Sequence, residues 1–192
     1  MAEPDDLGRR MAFLLEADRL KSVSRATRLA DGSRHENSAE HSWHLALFAL
    51  VLAEEAPEGV SVDRVIRMLL LHDLVEIDAG DTPIFGPQDG AQDAAETAAA
   101  DRIFALLPAA QASAFRALWD EFEAADSPDA VFAKALDRFQ PPLLNIAAGG
   151  GSWTDYAVTE PRVRARIRPP IERGAPGLWA WISPRIAAFF AR

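Results

Sequence analysis

The 192-residue chain contains no cysteine. That excludes a disulfide framework and any thiolate metal site, so a bound metal would have to be held by His, Asp or Glu. Tyrosine occurs once, and Val/Ile runs with alternating polarity are nearly missing, so strand signals are weak. No apolar run approaches the ~20 residues that span a bilayer, and the opening "MAEPDDLGRRMAF" has acids first and nothing of signal length. A cytoplasmic protein without a membrane partner is the expectation. Cations are outnumbered: the formal charge is −9, which argues against a long nucleic-acid surface, because binding there is mostly electrostatic. A small phosphorylated substrate is compatible with that charge.

What is present is ordinary globular material, 49% hydrophobic and 26% charged. The length fits one domain with a real core. Helical periodicity dominates and gives an all-α fold class, a helical bundle with a C-terminal helical extension. The expected helices cover 6–21, 38–55, a third from about 61 that carries "VDRVIRMLLLHDLVEI", then 91–106, 109–125, 128–147, 159–172 and 176–190. Asn37 with Glu40 three residues on reads as a capping box opening the second helix. Residues 22–36 read as a connecting loop, 79–90 as a Gly- and Pro-rich loop, and Pro141-Pro142 as a kink or early helix end. The flexible "AAGGGSW" at 147–153 divides a core of about 6–148 from a C-terminal subregion, 149–192, in which no further motif is evident.

One stretch is out of place in this pattern. "LLLHDLVEIDAGD", residues 69–81, runs from buried leucines directly into His72, Asp73, Glu76, Asp78 and Asp81. Such a cluster is costly against a core unless it has partners. His41 offers one: Leu45, Phe48, Ala49 and Leu52 follow it at i+4, i+7, i+8 and i+11, which places it on a buried helix face. Asp137, in "FAKALDRFQ", follows Leu136 beside another apolar flank, with Lys134 and Arg138 expected to point outward. Two histidines and two carboxylates suit Mn²⁺, Co²⁺, Fe²⁺ or Zn²⁺ and tolerate Mg²⁺. Taken singly, each of these residues has an ordinary reading, a hydrogen-bonded core histidine or a surface acid paired with a neighbouring cation.

The combined order, His41, His72-Asp73, Asp137, resembles the HD-domain superfamily of metal-dependent phosphohydrolases. The blocks "RHENSAEHS" (34–42), "HDLVEIDAGDTP" (72–83) and "KALDRF" (134–139) are similar to those of the bacterial 5′-deoxynucleotidase group and its eukaryotic relatives, over about residues 12–145. The resemblance implies a helical bundle, often dimeric, with one divalent ion, that removes the 5′-phosphate from nucleoside monophosphates. It implies His41, His72, Asp73 and Asp137 as metal ligands, Glu76 and Asp81 as catalytic acids, and Arg25 as a phosphate contact. Glu36, Asn37 and Glu40 would cap the helix and orient His41. Asp78 should face solvent, His44 should be a core or edge residue, and His35 has no firm role. Members of the group carry an aromatic directly after the arginine where this chain has Ala26, so the resemblance does not extend to a preference for deoxyribose.

The chemistry stands beside the resemblance. One divalent ion can lower the pKa of water and polarise a phosphoryl oxygen, a carboxylate one turn from His72 can direct that water, and an arginine can grip phosphate bidentately. The alternatives are a phosphodiesterase or pyrophosphohydrolase, which would want a further histidine pair that only His35 and His44 could supply, and a non-catalytic metal-stabilised module. The apolar "GLWAWISPRIAAFFA" at 177–191 suggests a homodimer.

Overall fold

A computed structural model describes residues 5–86 and 91–192. Residues 1–4 and the end of the Gly/Pro loop, 87–90, lie outside it. The elements are α1 (Asp6–Asp18), β1 (Ser24–Arg28), β2 (His35–Asn37), α2 (Ser38–Val51), α3 (Val62–Leu71), α4 (Glu76–Ala79), α5 (Ala91–Phe104), α6 (Ala109–Ala124), α7 (Pro128–Ala147), α8 (Ser152–Asp155), α9 (Glu160–Gly174) and α10 (Pro176–Phe190). The all-α expectation holds apart from one small antiparallel pair, β1 with β2. Among the described residues no helix is long and apolar enough to cross a membrane.

Segment 22–36 is therefore not a plain loop but a short hairpin. Its strands are hard to see in sequence because Ser-Arg-Ala-Thr-Arg has no apolar alternation and buries only Thr27. The reach of the hairpin matters more than its burial: it holds Arg25 over the end of α3. Helix α2 opens on the expected capping box. Asn37 accepts from the Glu40 amide at 2.9 Å and Glu40 accepts from the Asn37 amide at 3.1 Å, which offsets two of the unpaired donors at the helix start.

Helix α7 is the axis of the domain. It buries Phe132, Ala133, Leu136 and Phe139 and packs against α3, α9 and α10. It does not end early at Pro141 and Pro142 but runs through both to Ala147, over the expected span. The two missing amides cost two helical hydrogen bonds, but Pro142 and Leu144 are buried, and tertiary packing on both sides holds the helix together. Helix α9 contacts it at backbone distance. A Cβ on Gly174 would lie 2.3 Å from the Val131 carbonyl oxygen and 2.7 Å from the Ala135 Cβ, so only glycine permits this crossing.

The two ends of the chain pack differently. The leucines of α1 lie mostly outside: Phe13 is buried, while Leu7, Met11, Leu14 and Leu15 are exposed. Helix α1 is instead pinned by Arg9, whose guanidinium donates to the carbonyls of Ala105 and Leu107, each at 2.7 Å. In α10, Leu178, Trp179, Ile182 and Ile186 are buried within the chain, and Phe189 and Phe190 pack on Trp153. Only Trp181 keeps a large aromatic face outward.

Candidate active site

The site begins where α3 changes pitch. After Leu71 the chain winds as a 3₁₀ turn from His72 to Val75, then as the single turn α4, which Gly80 ends at φ 75°. In 3₁₀ geometry residues three apart eclipse one another, so Asp73 and Glu76 project to the same side. Their common partner is Arg25 from β1. Its Nη1 donates to Asp73 Oδ2 at 2.8 Å and lies 3.4 Å from Glu76 Oε1 and 3.6 Å from Asp81 Oδ1. Its Nε faces Glu36 Oε1 at 3.4 Å. A single guanidinium thus sits among four carboxylates. Burial alone would lower its pKa, but Asp73, Glu76, Asp81 and Asp137 outweigh that and raise it.

His41, His72 and Asp73 each offer a ligand atom, and these atoms all lie within 4.8 Å of one another, with all three residues buried. Asp137 arrives from α7: its Oδ1 is 3.0 Å from His41 Nε2 and 3.8 Å from His72 Nε2. The other ring nitrogens face oxygen acceptors. His72 Nδ1 donates to the Leu69 carbonyl at 2.9 Å, and His41 Nδ1 faces Glu36 Oε1 at 3.4 Å. This arrangement leaves both Nε2 atoms pointing at one locus, as metal ligation by histidine requires. His72 Nε2 is buried 2.9 Å from Asp73 Oδ1 without hydrogen-bond alignment, and Glu36 Oε1 is likewise buried with no aligned partner. An orphaned ring nitrogen between two carboxylates fits a cation held by nitrogen and oxygen.

The charges of the site shift one another's protonation. Burial lowers the His72 pKa, but Asp73 and Asp137 overcome it and push it up to about 10. Glu76 is pushed up to about 9 by burial and by Asp73, against the pull of Arg25. Asp81 is also raised, chiefly by burial. For Asp73, burial acts upward, but the His72 and Arg25 charges hold its carboxyl below the ordinary range. Asp137 is lowered too, by Arg138 and the two histidines against burial. The cationic forms of His72 and Arg25 and the neutral form of Glu76 are thus the ones favoured beside Asp73 and Asp137.

These residues line a cleft of about 170 Å³. All seven sequence candidates lie within this network, six of them lining the cleft and His41 buried behind it. Asp78 stays at the surface and pairs with Arg102, and His35 braces the hairpin, its Nδ1 3.2 Å from the Ala26 carbonyl. His44 borders a neighbouring apolar groove, not the cleft. Two expectations need correction. Lys134 and Arg138 do not simply face outward; both line the cleft. The Lys134 ammonium lies 3.9 Å from the centre of the Phe122 ring and 3.0 Å from Glu123, while Arg138 reaches Asp137 Oδ2 at 3.2 Å. The C-terminal subregion also contributes after all, through Trp153 and Tyr156. A Gly-rich stretch read as a boundary gave no sign of this.

The comparison with known families decides the class: the HD domain pattern matches residues 17–179. The chain belongs to the HD-domain family. That match crosses residue 148, so it takes in α8, α9 and the start of α10. The human protein named 5′-deoxynucleotidase HDDC2 is 29% identical over 130 residues, 67% of this chain and 62% of its own length. The mouse protein of the same name is 29% identical over 130 residues, 67% of this chain and 64% of its own length. The chain therefore spans less than two thirds of the curated relatives it matches. Among solved structures, a protein of Magnetospirillum magnetotacticum MS-1 described as a predicted metal-dependent phosphohydrolase is 46% identical. It superposes with a TM-score of 0.90 over 97% of this chain and 96% of that one. A conserved hypothetical protein of Pyrococcus furiosus, 21% identical with a TM-score of 0.57 over 92% of this chain and 99% of that one, shares the fold.

Proposed function

We propose that this HD-domain chain is a metal-dependent phosphomonoesterase that removes the 5′-phosphate from nucleoside or deoxynucleoside monophosphates. The observation that carries the reading is the meeting of His41, His72 and Asp73 ligand atoms within 4.8 Å, in a cleft that also holds Arg25, Glu76 and Asp81. The human and mouse relatives named 5′-deoxynucleotidase support the substrate class. The Magnetospirillum neighbour supports the reaction type.

In this reading His41, His72, Asp73 and Asp137 hold one divalent ion, for which a mixed imidazole and carboxylate set suits Mn²⁺, Co²⁺, Fe²⁺ or Zn²⁺ better than Mg²⁺. The ion, when bound, supplies a water ionised near neutral pH and a charge against the phosphoryl oxygens. Glu76 orients or deprotonates that water. Its carboxylate form is favoured once a cation sits beside Asp73, since a nearby positive charge lowers a carboxyl pKa. Asp81, whose pKa burial raises, is suited to hand a proton to the leaving 5′-oxygen. Arg25 exchanges part of its contact with Asp73 for the substrate phosphate. Asp81 accepts from the Ala26 amide at 3.4 Å, so the hairpin sets the acid and the arginine together.

The reading is tested with purified protein and a panel of nucleoside 5′-monophosphates, assayed with each divalent ion and after chelation, alongside Asp73→Asn. Phosphate release that needs a divalent ion and disappears in the variant is the expected result. No release with any substrate, or release unchanged by the substitution, sinks it. A homodimer remains part of the proposal, joined at the apolar groove of about 580 Å³ that Leu47, Val51, Phe139, Leu143 and Trp181 line. A solution mass of one chain, 20.9 kDa, by light scattering removes it.

A further inference from the structure

The cleft has a wall for which the reaction has no task. It is formed by the end of α7 and by α8, with Asn145, Ser152, Trp153 and Tyr156 in its lining. This wall is built with care for so short a segment. Gly150 and Gly151 take φ values of 135° and 48°. A Cβ on Gly151 would sit 2.4 Å from Asn145 Oδ1, so the turn admits no larger residue there. The buried Asn145 side chain accepts from the Ser152 amide at 3.0 Å and donates to Ser152 Oγ at 2.9 Å. Arg28 of β1 ties the far side of the turn to Asp155 at 3.1 Å. Ala157 is held at φ 48°, a left-handed conformation unfavourable for a residue with a Cβ. Such conformations persist only where the surroundings over-determine them, and they cluster at functional sites.

What this fixed turn presents is Tyr156. Trp153 is buried and packs against Phe189 and Phe190 at ring distances of 5.3 and 5.2 Å, so it backs the turn. Tyr156 is 42% exposed and lines the same cleft as Arg25, Asp73 and Glu76. The cleft volume of about 170 Å³ is below the ~300–1,000 Å³ of sites that enclose a whole small molecule. The phosphate and sugar end fits inside, the remainder of a nucleotide must reach toward solvent, and Tyr156, partly exposed in the same lining, offers it an aromatic ring. Aromatic rings accept every base, because every base has a π face.

We propose that Tyr156 is the platform on which the nucleobase stacks, so that α8 distinguishes a nucleoside monophosphate from a bare sugar phosphate without choosing among bases. The proposal rests on the monophosphate reading of the site for its ligand class. The experiment compares wild type, Tyr156→Ala and Tyr156→Phe, each metal-loaded and checked for an unchanged thermal transition. KM and kcat are measured for 5′-monophosphates of four bases and for ribose 5-phosphate, which has no base. The expected result is a KM raised about tenfold for all four nucleotides in Tyr156→Ala, as base stacking on an aromatic typically contributes. Unchanged kcat, unchanged ribose 5-phosphate kinetics and near-complete restoration by Tyr156→Phe complete the expectation. An equal effect on ribose 5-phosphate, or no effect on any nucleotide, overturns the platform. If no monophosphate is hydrolysed, the hydrolytic reading fails by itself. Calorimetric binding of adenosine 5′-monophosphate and inorganic phosphate then decides this proposal: weakening of the nucleotide alone in Tyr156→Ala upholds it, and equal or absent weakening overturns it.

Discussion

Arg25 donates to Asp73 at 2.8 Å across 48 residues of sequence, and the same nitrogen lies 3.4 Å from Glu76. Both side chains are nearly buried, so the guanidinium is a counter-ion of the carboxylate cluster. Removing one partner of a buried ion pair leaves an uncompensated charge, at a cost of ~3–5 kcal/mol. Arg25→Gln should therefore lose about 3 kcal/mol in urea unfolding with chelator present. The loss should be smaller when Mn²⁺ is added, because a divalent ion replaces the missing charge. Equal losses with and without Mn²⁺ would mean that the arginine and the ion do not share the same carboxylates.

Glu76 is the acid most poised by its surroundings, held by burial and Asp73 at about 9 and bonded to the Ser38 hydroxyl. If it directs the attacking water, Glu76→Gln should lower kcat by ~10²–10⁴-fold while metal content per chain stays the same. Elemental analysis beside steady-state kinetics separates the two. A lost ion would make Glu76 a ligand, and unchanged kcat would remove it from the reaction.

How much of this was legible beforehand depends on the kind of signal. His41, His72, Asp73 and Asp137 could be read because each sits against an apolar helical stripe, where a polar residue stands out. The capping box at Asn37 and Glu40 could be read because its chemistry is local. The hairpin around Arg25 was missed because its strands carry no apolar alternation and are held by the chain on either side. The span of α7 was legible from its periodicity, and the early end that Pro141-Pro142 suggested does not occur, because packing by α9 and α3 overrides local propensity. Tyr156 and Lys134 carry no periodic signal at all, and only the shape of the cleft gives them a place.

Glu36 was legible only as part of a matching block, yet it touches more of the site than its position suggests. It accepts from Gln140 at 2.9 Å and faces both His41 Nδ1 and Arg25 Nε at 3.4 Å. A carboxylate behind a ligating imidazole fixes the ring and raises its basicity, and its loss commonly costs 10–100-fold in metal affinity. Glu36→Gln should weaken Mn²⁺ or Co²⁺ binding about tenfold by competition titration. Affinity within a factor of two of wild type would assign the residue to packing alone.

Gly174 offers a test away from the site. Because a Cβ would meet the Val131 carbonyl at 2.3 Å, Gly174→Ala must push α9 away from α7. Overpacking of this kind costs ~1–3 kcal/mol, and the denaturation midpoint should fall accordingly. Metal content at saturating ion should not change. A neutral or stabilising effect would show that the two helices separate more easily than their contact suggests.

The partners His41 and Asp137, 3.0 Å apart in space, are 96 residues apart along the chain. Closing a loop of that length carries an entropy cost that short-range helix pairing does not, and contacts of this separation form late in folding. Asp137 can meet the histidines only once α7 has docked on α2 and α3, so this four-residue cluster depends on the tertiary fold being assembled. A divalent ion should then act on the unfolding limb of a kinetic trace, slowing escape from the native state, and leave the refolding rate nearly untouched.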